Sequence, residues 1–162
     1  MKAITLWQPW ASLKVTEHKN CETKSRPAPA SWKSGELVAI HAAIKPAYEA
    51  LDAMGVDPAE GLHLKMMDAL GVDGATLLTG LPLGAVLGIC RYNRCWPAEN
   101  TSFPMDDLWE QDFGDFSEGR WAWNMPMVLK LEKPIRARGK QGAWDWDAPQ
   151  WMLDEIAEGG QE

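Results

Sequence analysis

Short apolar runs separated by breaker-rich stretches organise the chain, and their lengths and periods sort them into strands and helices. Lys2–Trp7 carries β-branched Ile4 and Thr5 with no breaker and is predicted to be a strand. Pro9 suits a first helical turn, where its missing N–H costs nothing, so Pro9–Thr16 is predicted to be helical. Trp10 and Leu13 would share one face of that helix, which Glu17 would extend at i+7. His18 and Asn20 break the pattern, and Cys21–Ser25 reads as a second strand. Alternate residues of a strand share a face, so Glu22 and Lys24 point one way, Cys21 and Thr23 the other.

Further along, Arg26–Ser34 reads as a loop and Glu36–Ala43 as a buried strand. His41 near its end fits a core histidine bonded to backbone better than a catalytic one. Pro46 opens a helix running to about Met54, and Leu62–Leu70 is predicted to form another, with Met66 and Met67 filling core. Leu83–Cys95 reads as one long strand kinked at Gly88. Trp96–Gly119 is rich in Pro, Gly, Ser and acids. It is expected to be mostly loop with at most one helical turn, a flap beside the site whose carboxylates face water. Gly119–Asn124 places Trp121 and Trp123 on one strand face, opposite Arg120, Ala122 and Asn124. At least one of these tryptophans is expected in the core, the other being free, like Trp10, to stack on a base. Met127–Ala137 returns as a strand in which Pro134 marks an edge or bulge. A basic turn at Arg138–Gly142 follows, then a closing helix over Pro149–Ala157 that docks through Trp151, Leu153 and Ile156. Residues 159–162 read as a frayed tail, leaving residues 1–158 as a single domain.

Composition narrows the function. A chain of 162 residues buries a substantial core. No apolar run approaches the roughly 18 residues of a membrane span, and no signal-peptide pattern precedes the first strand. Three cysteines without a framework fit free thiols in a reducing compartment, so the expected location is cytoplasmic. Cys90 and Cys95 lack a second Cys/His pair at ligand spacing, and neither a metal nor a cofactor is expected. The net charge of −7 argues against a broad surface that coats nucleic acid. It leaves room for a small basic cleft, because Lys and Arg gather at Lys14–Lys33, Arg91–Arg94 and Lys130–Lys140, while acids crowd Asp106–Glu118.

Lys19, Glu22 and Lys24 are the candidate chemistry. An unperturbed lysine has a pKa of about 10.4, and a close carboxylate keeps it charged. Lys19 beside Glu22 is therefore read as an orienting ion pair in preference to a nucleophile. The plain alternative is a solvated strand-end salt bridge worth at most about 1 kcal/mol.

The run His18-Lys19-Asn20-Cys21-Glu22-Thr23-Lys24 resembles the signature segment of the ASCH superfamily of PUA-like domains. Trp7–Leu13, Leu37–Ala42, Gly84–Gly88, Phe113–Phe116, Gly119–Trp123 and Arg138–Gly142 resemble further blocks of that family in the same order. His18 stands where the family usually has Gly, and Lys24 where it usually has Arg, a point charge in place of a bidentate fork. The resemblance implies an α+β fold: a small, mostly antiparallel PUA-like β-barrel decorated by three or four helices. It also implies an RNA- or nucleotide-binding cleft built from Gln8, Trp10, Lys19, Glu22, Lys24, Arg120 and Trp121. No membrane and no obligate protein partner are expected.

A second reading is a hydrolase, either a ribonuclease or an amidohydrolase on an acylated nucleoside, with Lys19 and Glu22 catalytic. In the amidohydrolase branch, however, Glu22 occupies a Thr position and the downstream Glu would fall near Arg91. A third reading is a small-molecule or protein-interaction module, which the acidic balance favours.

Overall fold

Apolar residues at successive positions give β1 (Lys2–Leu6), β3 (Leu37–Ala42) and β4 (Ala85–Arg91) two buried faces each. The computed structural model describes residues 1–57, 60–103 and 108–159. In it these three strands form the centre of a five-stranded sheet, ordered β7-β4-β3-β1-β8, with β7 (Met127–Arg136) and β8 (Ala143–Asp145) at its edges. β1 and β3 run parallel, Lys2 opposite Val38 and Leu6 opposite Ala42, and every other pair is antiparallel. A smaller sheet has the order β2-β6-β5, from Cys21–Lys24, Trp121–Asn124 and Arg94–Pro97. The architecture is thus mixed α+β, and the ladders among the described residues do not themselves close the sheets into a barrel. Pro134 falls in the edge strand β7, in the irregular stretch between its Lys130 and Ile135 pairs with β4, where an edge or bulge tolerates a missing N–H.

Five α-helices are present among the described residues, more than the three or four expected from sequence. They are α1 (Trp10–Val15), α2 (Ala47–Ala53), α3 (Gly61–Leu70), α4 (Leu108–Phe113) and α5 (Gln150–Gly159). One face of the large sheet (Ile4, Val38, Ile40, Leu87) packs on Val15 of α1 and on Trp123 and Met125. The other face (Ala3, Ala39, Val86, Ile89) is covered by Trp144, Trp146 and Met152 of α5. A third cluster joins Leu13, Leu51, Met66 and Phe113 from the first four helices. Each fully buried Leu, Ile or Phe contributes roughly 1.5–3 kcal/mol by leaving water.

Several local expectations are corrected. Leu83–Cys95 is two strands, because the chain leaves the large sheet after Arg91 and joins the small one at Arg94. The stretch 96–119 holds the end of β5, a 3₁₀ turn at Ala98–Asn100 and α4, so it is more structured than a loop. Part of it, residues 104–107, lies outside the described residues, as does the expected tail at 160–162; Gly159 ends α5. That helix docks through Met152, with Ile156 packed beside it, whereas Trp151 is exposed. Gly88 lies at a register shift between β4 and β7, and its lack of a side chain has a packing cause. A Cβ there would lie 2.8 Å from the Leu129 carbonyl oxygen and 3.1 Å from Cγ1 of Val15, where α1 crosses the sheet.

The first helix stops at Val15, so Glu17 does not extend its face. Instead the Glu17 and His18 N–H groups bond back to the carbonyls of Lys14 and Leu13. This reverse turn closes the helix by placing Glu17 in the left-handed region, at φ +64°. That conformation costs a residue with a Cβ about 1 kcal/mol, and glycine almost nothing. Replacing Glu17 with Gly is therefore expected to raise stability by about 1 kcal/mol, read as a higher urea midpoint at unchanged slope.

Candidate ligand-binding cleft

Helix α1 is apolar on its buried side apart from Ser12 and Lys14, the latter 0% exposed. Its ammonium donates to the carbonyls of Lys19 at 2.9 Å, Asn20 at 2.8 Å and Met125. Three donors meet three acceptors, the arrangement a buried ammonium needs. Burial still pushes the Lys14 pKa down, and Lys19 adds to that shift. Asn20 also accepts the Met125 N–H. Together these bonds clamp the segment entering β2 against the turn that follows β6.

The clamp turns Lys19 inward, leaving it 1% exposed. Its Nζ donates to the Cys21 carbonyl at 2.8 Å and lies 3.5 Å from Oε2 of Glu22. Glu22 is itself only 7% exposed, and its Oε1 lies 3.2 Å from Nζ of Lys24. Two ammonium groups thus flank one buried carboxylate. Burial alone would raise the Glu22 pKa, but Lys19 and Lys24, with Lys14 behind them, outweigh it and hold the carboxyl below the usual range. Oε2 accepts no hydrogen bond among the described residues, although Lys19 stands nearby. The pair is buried, so it is not a solvated strand-end bridge.

Edge strand β2 takes its remaining backbone bonds from charged side chains. Glu110 of α4 accepts the N–H groups of Asn20 and Cys21, and Arg120 donates to the Thr23 carbonyl at 3.1 Å. Covering an edge this way keeps it from pairing with another chain. It also corrects the expectation that the flap's carboxylates face water: Glu110 is buried because β2's backbone donors require an acceptor.

Between the end of β1, strand β2 and residues 112–115 lies a cleft of about 510 Å³. Trp7, Trp10 and Phe113 supply its apolar walls, and Lys19, Glu22 and Lys24 its polar floor. Arg120, Asp112 and Asp115 are the other charged residues of the lining, so its three cations are matched by three anions. Asp112 is held by Lys65 at 2.7 Å, and Asp115 by Arg120 at 3.1 Å. The cleft is charge-balanced, not basic.

Trp10, Lys19, Glu22, Lys24 and Arg120 line this one cleft together. Gln8 and Trp121 do not. Gln8 is fully buried, donating to the Pro82 carbonyl and accepting the Ser12 N–H, so both ends of its amide serve the fold. Trp121 stands opposite Lys24 across the β2–β6 ladder, yet it packs on the main core and is not part of the cleft lining. Arg91 sits at the exposed end of β4, donating to the Gly35 carbonyl, and is not part of the cleft lining.

His41 is buried with Nε2 bonded to the Ala137 carbonyl, in keeping with a core role. Three contributors were missed. Trp7 lines the cleft while 44% exposed, with the Lys45 ammonium 4.8 Å from its ring centre. Its hint was a large aromatic just past a strand end. Lys14 was hinted at by being the lone cation in an apolar helix. Glu110 gave no local signal, because its partners lie about 90 positions away. Among the described residues no group of His, Cys, Asp and Glu is placed to hold a metal ion, and no helix is long and apolar enough to cross a membrane.

No protein-family model matches the sequence, and no curated protein matches it. The fold does have solved counterparts. The crystal structure of an ASCH protein from Zymomonas mobilis is similar over 96% of this chain and 93% of its own, with a TM-score of 0.50 at 12% identity. Two single-substitution variants of that protein give TM-scores of 0.47, also at 12% identity. The fold of this chain is accordingly the ASCH fold.

Glu22 makes stability depend on acid. Its folded pKa lies below the unfolded value, so its contribution is full above about pH 4.3 and is lost as pH falls through the lowered value. Glu22→Gln is expected to flatten that acid limb and to cost about 3 kcal/mol at pH 7, since Lys19 is left buried with no counter-charge. Urea unfolding at a series of pH values measures both.

Proposed function

We propose that the cleft binds a nucleotide unit, free or exposed in single-stranded RNA. The observation that carries this reading is a buried Lys19–Glu22 pair, with the half-buried Lys24 beside it, in one cleft of nucleotide size with tryptophan walls. Pockets of roughly 300–1,000 Å³ with apolar walls and a few fixed polar groups suit small planar ligands. An aromatic wall gives any base a stacking face worth roughly 1–3 kcal/mol. Lys24, partly exposed at the edge of the floor, and Lys45, whose ammonium lies 4.8 Å from the centre of the Trp7 ring, are the cations offered to a phosphate. The even charge balance supports one nucleotide in the cleft over a long phosphate track.

A hydrolase would need Glu22 as general base. Two ammonium groups that lower its pKa also lower its basicity, so the geometry favours binding over proton abstraction. Arg91, outside the cleft lining, supplies nothing to such a site.

Calorimetric titration with a short single-stranded RNA of mixed sequence tests the proposal. Trp7→Ala, at a half-exposed position, is expected to weaken binding by about tenfold or more while thermal stability is nearly kept. Lys24→Ala is expected to lower the slope of log affinity against log salt by about 1. Binding that ignores both changes, or no binding at low salt, would move the assignment to a small-molecule or protein-interaction module. Shortened RNA in the same samples, absent with Lys19→Ala, would make it a ribonuclease.

A further inference from the structure

A second cleft, of about 630 Å³, opens on the other face of the small sheet. Strand register separates it from the first. Cys21, Asn124 and Arg94 stand opposite one another across β2, β6 and β5, so they share a face, and all three line this second cleft. Glu22 and Lys24 alternate with Cys21 along β2 and take the other face, toward the first cleft. The two linings have no residue in common.

The only cation in the second lining is Arg94, which is exposed. Its guanidinium lies over the Trp96 ring, 5.0 Å from the ring centre. Trp96 is held in turn by donating its ring N–H to Oγ1 of Thr101 at 2.9 Å. No carboxylate pairs with Arg94 among the described residues. A guanidinium laid on an aromatic face keeps its N–H edge for other partners, and that planar edge grips an oxyanion as a fork.

The neighbours of Arg94 in the lining add donors. Thr101 accepts from Trp96, so its own hydroxyl proton is left to give. Oδ1 of Asn124 accepts from Asn93 at 2.9 Å, which sets the amide with its NH2 group toward Cys21. One of those two protons is directed at the thiol, and the other is left to give. The one carboxylate of the lining is Glu110, which accepts the Asn20 and Cys21 N–H groups. It holds β2, two strands from Arg94, or roughly 10 Å at the usual strand spacing.

We propose that the second cleft is an oxyanion site for a phosphate group, with the Arg94 fork as its anchor and Thr101 and Asn124 as further donors. A phosphate has oxygens enough for the fork and both neighbours, whereas a carboxylate has two and is expected to bind more weakly. The group can belong to a small phosphoester or to RNA, and the chemistry of recognition is the same. The site does not depend on the nucleotide reading of the first cleft.

The test titrates the full chain with glycerol phosphate and follows the ring N–H resonance of Trp96, assigned with Trp96→Phe. A saturable shift is expected, larger than acetate gives at equal concentration. Arg94→Gln is expected to weaken binding about tenfold or more, and Arg94→Lys, which keeps the charge and loses the fork, by a smaller factor. Lys24→Ala, in the other cleft, is expected to change nothing. A short oligoribonucleotide with and without a 5′-phosphate separates the sources. Arg94-dependent binding that is tighter than that of glycerol phosphate assigns the site to RNA, and binding no tighter assigns it to a small phosphoester. A Trp96 resonance that stays still with both probes at millimolar concentration would overturn the proposal, as would a shift that survives Arg94→Gln. Neither result touches the first cleft.

Discussion

A buried ammonium cannot be left short of acceptors, and that constraint on Lys14 organises the functional end of this molecule. Its three carbonyl partners come from Lys19, Asn20 and Met125, two on the approach to β2 and one just past β6. Satisfying them pins the entrance of β2 beside its ladder partner and fixes where Lys19 begins. Lys19 then has no path to water and turns onto the Cys21 carbonyl and Glu22. Glu110, reaching in from α4, closes the other side by accepting two backbone N–H groups. The cleft's floor follows from how α1, β2 and α4 meet their buried charges.

This arrangement gives the cleft a rigid polar base. The floor's charges sit in low dielectric and pair with one another, so they hold their positions before any ligand arrives. The walls are different in kind. Trp10 is anchored through its ring N–H to the Phe113 carbonyl, whereas Trp7 is half-exposed under Lys45 and can adjust to what it covers. A firm floor with one adaptable wall suits a ligand held through its ring.

Much of this was legible in the chain. Ile4, Val38 and Ile40 announced buried strands, Pro9 a helix start, and the 19–24 segment the polar centre. Gln8 was misread, because its place in the N-terminal block suggested the cleft, yet its amide is consumed by Pro82 and Ser12. Trp121 was misread for a related reason: alternation puts it on Trp123's face, beside Glu22 and Lys24, but does not reveal that its ring packs on the main core. Glu110 was read as solvated because carboxylates lining a cleft would repel phosphate, and nothing nearby reveals a strand edge in need of an acceptor.

Strand and helix periods, breaker positions, the charged triplet and its likeness to ASCH domains were set by the sequence itself, because each depends on residues within a few positions of one another. The pairing of two sheets, the burial of Lys14 and Glu110, the loss of Gln8 from the cleft and the gain of Trp7 were decided only in the folded chain. Those outcomes depend on contacts between residues some 70 to 110 positions apart, where the cost of burying one charge is met by backbone groups that local sequence cannot locate.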